Sequence, residues 1–418
     1  MNRLNKNKNI AATMRETYAK RKTQLCKCFK FKVDKSNLSK QQAEQIKMQF
    51  VEAKWIYNYL LDKDIFNFDY KNLSTIIHKD KNKNDIETII SYIGSSVKQS
   101  IITQVINQIK GLSKLKKKGL EVGKLKYKSE YNSIDLKQYG NTHSIRGNKF
   151  KIQGIKKPIR VNGLKQLSKY ENIDYCNAKL YYDGIDYYII LTCYIDKNYN
   201  KSYKNEIVGI DMGVSTTLTL SNGIKYNISI EESEKLKRLQ TKLSRQQKGS
   251  NNRYKTIKKI RKEYIYITNK KNDISNKIVS SILSDNRYVV IQDEQLNKWK
   301  KDGLSGTKMQ HSILGRVKSK LIQSEQCIIL DKWFPTTKYC SNCGNKIELE
   351  LTNRIFECPI CKTKEDRDIH AANNMIYFYQ QYNKLDRSGI DQTSIKGPVR
   401  ISYRKFSTQE DTTSLTLC

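Results

Sequence analysis

The sequence predicts a multidomain α/β protein in which a small β domain precedes an α/β core. Three observations carry that reading. Short alternating apolar runs recur between residues 29 and 195, two buried-looking strands end on acids (207–211 at Asp211, 288–291 before Asp293 and Glu294), and two Cys-x-x-Cys pairs lie late in the chain. At 418 residues the chain is long enough for about two to three domains.

Charge narrows the function. Lys plus Arg number 78 against 41 Asp plus Glu, a formal net charge of +37. A polyanion relieves such self-repulsion, and the candidates are nucleic acid and an anionic membrane. The chain is also rich in Asn, Ile and Tyr, as an A/T-rich genome imposes, but that bias would raise Asp and Glu alongside Lys. They have not kept pace, so nucleic-acid binding is the better reading. No apolar run approaches a membrane span, which leaves no membrane partner. Residues 1–10 lack a signal-peptide core, so a reducing compartment is expected: in a prokaryote, the nucleoid-containing cytoplasm.

The elements follow in order. Residues 29–33 alternate apolar with lysine as a strand. Ser39 with Gln42 forms a capping box before a helix bearing Ile46, Phe50, Ala53, Tyr57 and Leu60. Ser96 with Gln99 opens another bearing Val97, Ile101, Val105 and Ile109, so about 38–120 reads as a helical insert. It ends in Lys114, Lys116, Lys117 and Lys118, after which Lys124, Lys126 and Lys128 alternate with apolar or aromatic residues. These lysines would face phosphates; the alternative is a solvated loop. Runs at 150–155, 158–161, 178–182 and 187–195 complete the β domain.

Past Asp211, residues 216–220 and 224–226 predict a hairpin turning at Asn222-Gly223. Between 231 and 278 lies a helical pair with Leu236, Leu239, Leu243, Tyr254, Ile257, Ile260, Tyr264 and Ile267 on its inner stripe. Its outer faces carry Lys242, Arg245, Arg253, Lys258, Lys259 and Arg261, a phosphate track or a solvated face. Residues 309–321 predict one helix and about 369–382 another. From about 386 periodicity fails and a mobile tail is expected, so deleting 390–418 should spare function.

Hydrolysis of a phosphodiester by two divalent ions needs carboxylates converging so that the ions sit about 3.5 to 4 Å apart. Carboxylates suit Mg²⁺ or Mn²⁺. Asp211 and Glu294 at strand ends and Asp368 at a helix start could supply them. Singly, each has a plainer reading as a turn former, a strand end or an N-cap. The order strand-acid, hairpin, helices, strand-acid, helix-borne acid is that of a ribonuclease-H-like nuclease core. Cys340-Ser-Asn-Cys343 and Cys358-Pro-Ile-Cys361, fourteen residues apart, suit one tetrahedral structural Zn²⁺ with a short hairpin at 346–356 between the pairs; the alternatives are two disulfides or four free thiols. Cys26, Cys28, Cys176, Cys193, Cys327 and Cys418 read as buried hydrophobes or inert thiols. His78, His143, His311 and His370 show no ligand or triad spacing, and the last two read as ordinary polar residues.

The run Pro335-Thr-Thr-Lys-Tyr-Cys340-Ser-Asn-Cys343-Gly344, with Cys358-Pro-Ile-Cys361 and Asp366-Arg-Asp-Ile-His-Ala-Ala-Asn-Asn374, resembles TnpB, the transposon-encoded relatives of type V CRISPR effectors. The resemblance spans roughly 26–382. It implies a RuvC nuclease core (204–336 and 365–385) split by a zinc ribbon (337–364). An arm with a first wedge strand (1–37), a helical recognition insert (38–120) and a β-barrel wedge domain (121–203) precede it, and a tail (386–418) follows. It also implies RNA-guided DNA cleavage by a monomer in a ribonucleoprotein with guide RNA and target DNA, in which base pairing reads the target. By motif position Asp211, Glu294 and Asp368 are the implied catalytic acids. Family members have also been called transposases, although strand joining belongs to a separate enzyme. Residues 292–296 read Gln-Asp-Glu-Gln-Leu where many relatives read Glu-Asp-Leu, so Asp293 stays an alternative to Glu294. Lys362 stands where glycine commonly follows the fourth cysteine, and His370 where asparagine is common. The rival functions are a nuclease-inactive RNA-guided DNA-binding regulator and a transposase proper.

Overall fold

The computed structural model describes residues 3–63, 73–79, 84–197, 202–301, 306–348, 350, 353–385 and 399–402. The chain divides into two compact units, Met1–Tyr199 and Asn200–Cys418. Among the described residues no helix is long and apolar enough to cross a membrane.

In the first unit, α1 (Arg3–Lys22) precedes β1 (Gln24–Val33), whose alternation buries Phe31 and Val33 and exposes Lys30 and Lys32. The Ser39–Gln42 capping box forms and starts α2 (Lys40–Leu61). β2 (Thr75–Lys79) and β3 (Asp85–Ile89) pair as a hairpin inside the segment expected to be helical. α3 (Ser95–Lys117) begins one residue before Ser96, so Gly94 is its N-cap and the Ser96–Gln99 box does not form. β4 (Ser133–Leu136), β5 (His143–Arg146), β6 (Lys149–Ile152), β7 (Ile159–Asn162), β8 (Ile173–Tyr182) and β9 (Tyr187–Asp196) complete an antiparallel sheet of order β4-β8-β9-β1-β7-β6-β5. Ile46, Phe50 and Ile56 of α2 and Val97 and Ile101 of α3 share one core with Phe31, Phe150 and Leu180. The insert is therefore not a separate module, because its apolar stripes are covered by the sheet.

The second unit begins with β10 (Asn205–Asp211), β11 (Leu218–Leu220) and β12 (Lys225–Tyr226), an antiparallel meander whose turn at Asn222-Gly223 puts Gly223 at φ 86°. The helical pair is α4 (Glu234–Ser244) and α5 (Asn251–Asp285), which runs into β13 (Asn286–Gln292). There follow α6 (Leu296–Lys301), α7 (Gly306–His311), α8 (Leu314–Ile322) and β14 (Cys327–Leu330). β15 (Ile355–Glu357), β16 (Lys364–Asp366), α9 (Arg367–Leu385) and β17 (Val399–Ile401) close the order. The sheet reads β12-β11-β10-β13-β14-β17, with β10, β13, β14 and β17 parallel. On one face Ile278, Ile282, Val317 and Leu321 of α5 and α8 cover Val208, Val289 and Ile291; on the other Met375 and Phe378 of α9 cover Val290, Ile328 and Leu330. Burial on both faces is why these parallel strands are unbroken apolar runs.

Four expectations need correcting here. The single helix at 309–321 is two, parted at Ser312 and Ile313. Tyr254 and Tyr264 are not on a buried stripe but 62% and 44% exposed, whereas Thr256 and Ile260 between them are buried, so the covered side of α5 is the one that carries Thr256 and Ile260. The ribbon's paired strands, β15 and β16, flank the second cysteine pair, so only β15 lies between the pairs; residues 349, 351 and 352 of the hairpin expected at 346–356 lie outside the described residues. The tail is not structureless throughout: 386–398 and 403–418 lie outside the described residues, but β17 pairs with β14 and buries Ile401. Deleting 390–418 removes that strand, so it cannot be expected to be silent.

Candidate active site and metal centre

Asp211 ends β10, and Glu294 follows the neighbouring parallel strand β13 by two residues. Asp368 sits in the first turn of α9. What brings α9 to β10 is a glycine: a Cβ on Gly209 would lie 1.9 Å from the carbonyl oxygen of Ala372. Gly209→Ala is therefore expected to push α9 and Asp368 away from Asp211, at a cost of about 3 kcal/mol. A denaturant melt matching the wild type would show that the helix has room.

The N-cap role open to Asp368 is taken by Asp366, whose Oδ1 accepts the amides of Asp368 at 3.1 Å and Ile369 at 3.2 Å. Asp368 is thereby left for other work near the positive end of the helix dipole. Burial, then the charges of Asp368 and Glu294, push the Asp211 carboxyl up to about 7. Burial also raises Glu294, with Asp293 adding and Lys318 opposing. Burial and the negative charges of acids on two other elements thus converge on Asp211, an environment that a bound cation would relieve.

Asp293 faces elsewhere. Lys318 of α8, its side chain 11% exposed, donates to Asp293 Oδ1 at 3.0 Å and to the Glu294 carbonyl at 2.5 Å. Arg400 of β17 meets Asp293 Oδ2 at 3.3 Å. Burial works against ionisation, yet Lys318 and Arg400 together hold the Asp293 carboxyl below its ordinary range. Asp293 is an ion-pair clamp, and Glu294 is the acid whose charge reaches Asp211. Sequence reading missed Lys318 and Arg400 because their partner is remote along the chain and neither belongs to a local pattern.

Sγ atoms of Cys340, Cys343, Cys358 and Cys361 all lie within 4.8 Å of one another, the only such ligand group among the described residues. Cys340 to Cys361 and Cys343 to Cys358 are each 3.5 Å, close to the roughly 3.8 Å edge of a tetrahedron with Zn–S bonds of about 2.3 Å. The donor set fits zinc with no position left for water. Side-chain and backbone hydrogen bonds from Thr363 push the Cys361 thiol down to about 5, and Asn345 lowers Cys343 in the same way. The two turns match: Gly344 N–H donates to Cys340 and Lys362 N–H to Cys358, with φ of 76° and 61°. Lys362 thus holds the left-handed conformation that suits glycine.

His370, expected to be an ordinary polar residue, is 1% exposed and joins the ribbon to α9. Its Nδ1 meets Glu365 Oε1 at 2.5 Å, its Nε2 the carbonyl of Tyr339 at 2.8 Å, and Phe356 stacks on its ring at 3.5 Å. Asn374 Nδ2 donates to the same carbonyl at 2.6 Å.

Of the lysines expected to meet phosphates, Lys116, Lys117, Lys124, Lys126, Lys258 and Lys259 are exposed. Lys128 is not free in this way: it is half-buried, with its ammonium 3.9 Å from the Tyr57 ring centre and 4.5 Å from that of Tyr131. Arg253 is also engaged, donating to the carbonyls of Leu243 and Gln246.

Residues 191–301 match the family described as "Probable transposase" (OrfB_IS605), and residues 315–375 match the "Cas12f1-like, TNB domain". A curated protein of Streptomyces pristinaespiralis, named "Putative RNA-guided DNA endonuclease", is 30% identical over 178 residues, 40% of this chain and 44% of that protein. Another of the same description, InsQ of Escherichia coli (strain K12), is 29% identical over 198 residues, 41% of this chain and 48% of that protein. The matched region thus spans less than half the length of either relative. A solved structure titled "Cryo-EM structure of the Cas12f1-sgRNA-target DNA complex" aligns with 84% of this chain and 99% of its own at 12% identity and a TM-score of 0.41.

Proposed function

Since these matches support a TnpB-family protein, we propose that the chain is an RNA-guided DNA endonuclease with a RuvC-type, ribonuclease-H-like core. The observation that carries the chemistry is the placing of Asp211 at the end of β10, buried and within reach of the charges of Asp368 and Glu294 from two other elements. These three carboxylates would hold Mg²⁺ or Mn²⁺, which when bound activates a water and stabilises charge on the phosphate. Lys318 keeps Glu294 in place through its carbonyl, Asp366 caps α9 so that Asp368, which lies 3.8 Å from the Arg367 guanidinium, is not spent on the cap, and Gly209 sets the spacing. The four thiolates would hold one structural zinc. The sheet of the first unit is read as the β-barrel wedge, and guide RNA and target DNA are the partners of a monomeric ribonucleoprotein.

The test is purification of the protein from its host, sequencing of any RNA that travels with it, and cleavage of DNA matched to that RNA in Mg²⁺. A discrete RNA and matched cutting are expected. RNA and DNA binding without cutting would mean the regulator; strand joining without RNA would mean a transposase.

Binding should also depend steeply on salt, since each phosphate contact on duplex DNA contributes a slope of about 0.9 in log affinity against log salt. Reversing the charge of Lys116, Lys117, Lys258 and Lys259 is expected to flatten that slope by about 3 to 4. An unchanged slope would reduce these residues to solvated faces.

A further inference from the structure

Helix α5 reaches well beyond the sheet it covers. It runs directly into β13 and packs back on the core through Ile278, Val279 and Ile282. Its 35 residues span about 52 Å, whereas the 7 residues of β13 span about 23 Å. The helix draws level with the acid end near residue 272. There Asn272 accepts from Arg316 at 2.7 Å, two residues before Lys318, whose ammonium meets the Glu294 carbonyl. Residues 251–270, about 30 Å of helix, therefore stand past the end of the sheet that bears Asp211 and Glu294.

This projecting part is braced by α4. Lys235 pairs with Glu263 at 2.5 Å, Gln240 donates to the Tyr264 hydroxyl at 2.8 Å, and Arg253 closes the turn on the Leu243 carbonyl at 2.5 Å. Glu263 is the one acid in 251–270, and Lys235 occupies it. The outward side presents Tyr254, Lys258, Lys262, Tyr266 and Lys270 at four-residue spacing, neighbours along a helix surface, with Lys255 and Lys259 beside them. Both tyrosines face water, at 62% and 65% exposure. Solvated helix faces usually interleave the two signs of charge. This one carries a single sign and two bare rings.

We propose that the α4–α5 hairpin is an arm that receives an unpaired nucleic-acid strand and leads it toward the acid cluster. The lysines hold phosphates while Tyr254 and Tyr266 stack on bases. The destination rests on the nuclease reading of the three acids; the binding does not. Lysines alone would serve duplex and single strand alike, whereas stacking on a ring requires a base released from its pair. The rings therefore make the arm selective for an unpaired strand.

The test uses the full chain without added magnesium or manganese, so that nothing is cut. The probes are oligothymidylate carrying 5-iodouracil and a blunt duplex of mixed sequence. Irradiation is expected to join the oligothymidylate to peptides containing Tyr254 or Tyr266. The double variant Tyr254→Ala, Tyr266→Ala should lose at least about tenfold in affinity for the single strand and stay within about twofold on the duplex. Tyr254→Phe with Tyr266→Phe should keep both affinities, because the rings remain. Cross-links elsewhere, equal losses on both probes, or equal losses in the alanine and phenylalanine variants overturn the proposal. If the arm binds as expected but Asp211→Ala still cuts, the assignment of the three acids falls and the binding arm stands. If Asp211→Ala stops cutting and the arm variants behave as wild type, the reverse holds.

Discussion

Asp211→Ala is expected to lower guided cleavage by about a thousandfold while guided DNA binding stays within about twofold. The carboxylate would coordinate a catalytic cation instead of a phosphate, and a lost metal contribution of about 4 kcal/mol corresponds to that factor. Glu294→Ala and Asp368→Ala should behave alike, since their charges are the ones that raise Asp211. Asp293→Ala should be milder, at about tenfold, because it breaks a clamp with Lys318 and Arg400 and removes no proposed ligand. Full cutting by Glu294→Ala beside a dead Asp293→Ala would reverse the assignment. The same cluster fixes a pH dependence. A folded-state value near 7 for Asp211 against an ordinary 3.8 means the folded form holds the extra proton, so without a catalytic cation stability falls as pH rises from about 4 to about 7. Asp211→Asn should therefore melt at a higher temperature than wild type at pH 8 when no magnesium or manganese is present. A lower melting temperature would show that the cluster is not strained.

Cys340→Ser is expected to empty the zinc site and to cut cleavage by about a hundredfold. A ribbon whose core is little more than Phe356 and the thiols cannot hold its fold on three ligands. Its loss reaches the nuclease through specific atoms. The Tyr339 carbonyl receives His370 and Asn374 of α9, and Phe356 stacks on His370, two residues from Asp368. Elemental analysis and a cleavage assay on one preparation decide the matter. One zinc per chain with full activity in Cys340→Ser would sink it.

Features written in consecutive residues are legible in the sequence alone. The apolar run to Asp211, the Ser39–Gln42 box, the Asn222-Gly223 turn and the paired cysteines each signal locally, and each is found where expected. Features that depend on distant partners are not. Lys318 and Arg400 reveal themselves only once Asp293 lies between them, and His370 only when Phe356 and Tyr339 close over it. β14 is four apolar residues without alternation, and β17 is three residues that a sheet edge makes into a strand. Gly209 could be read as a small residue in a strand, but the helix that needs it small begins more than 150 residues later.

The position of β17 sets an order for synthesis on the ribosome. β14 is made before the ribbon and α9, yet its outer parallel partner is supplied only by residues 399–401. Throughout that interval the nascent sheet presents an apolar strand with an unpaired backbone edge, the kind of surface that recruits other strands or a chaperone. Arg400 arrives with the same segment, so the Asp293 clamp beside Glu294 is completed at the moment the edge is covered. The last-made strand thus supplies both the cover for the sheet edge and the second cation of the Asp293 clamp.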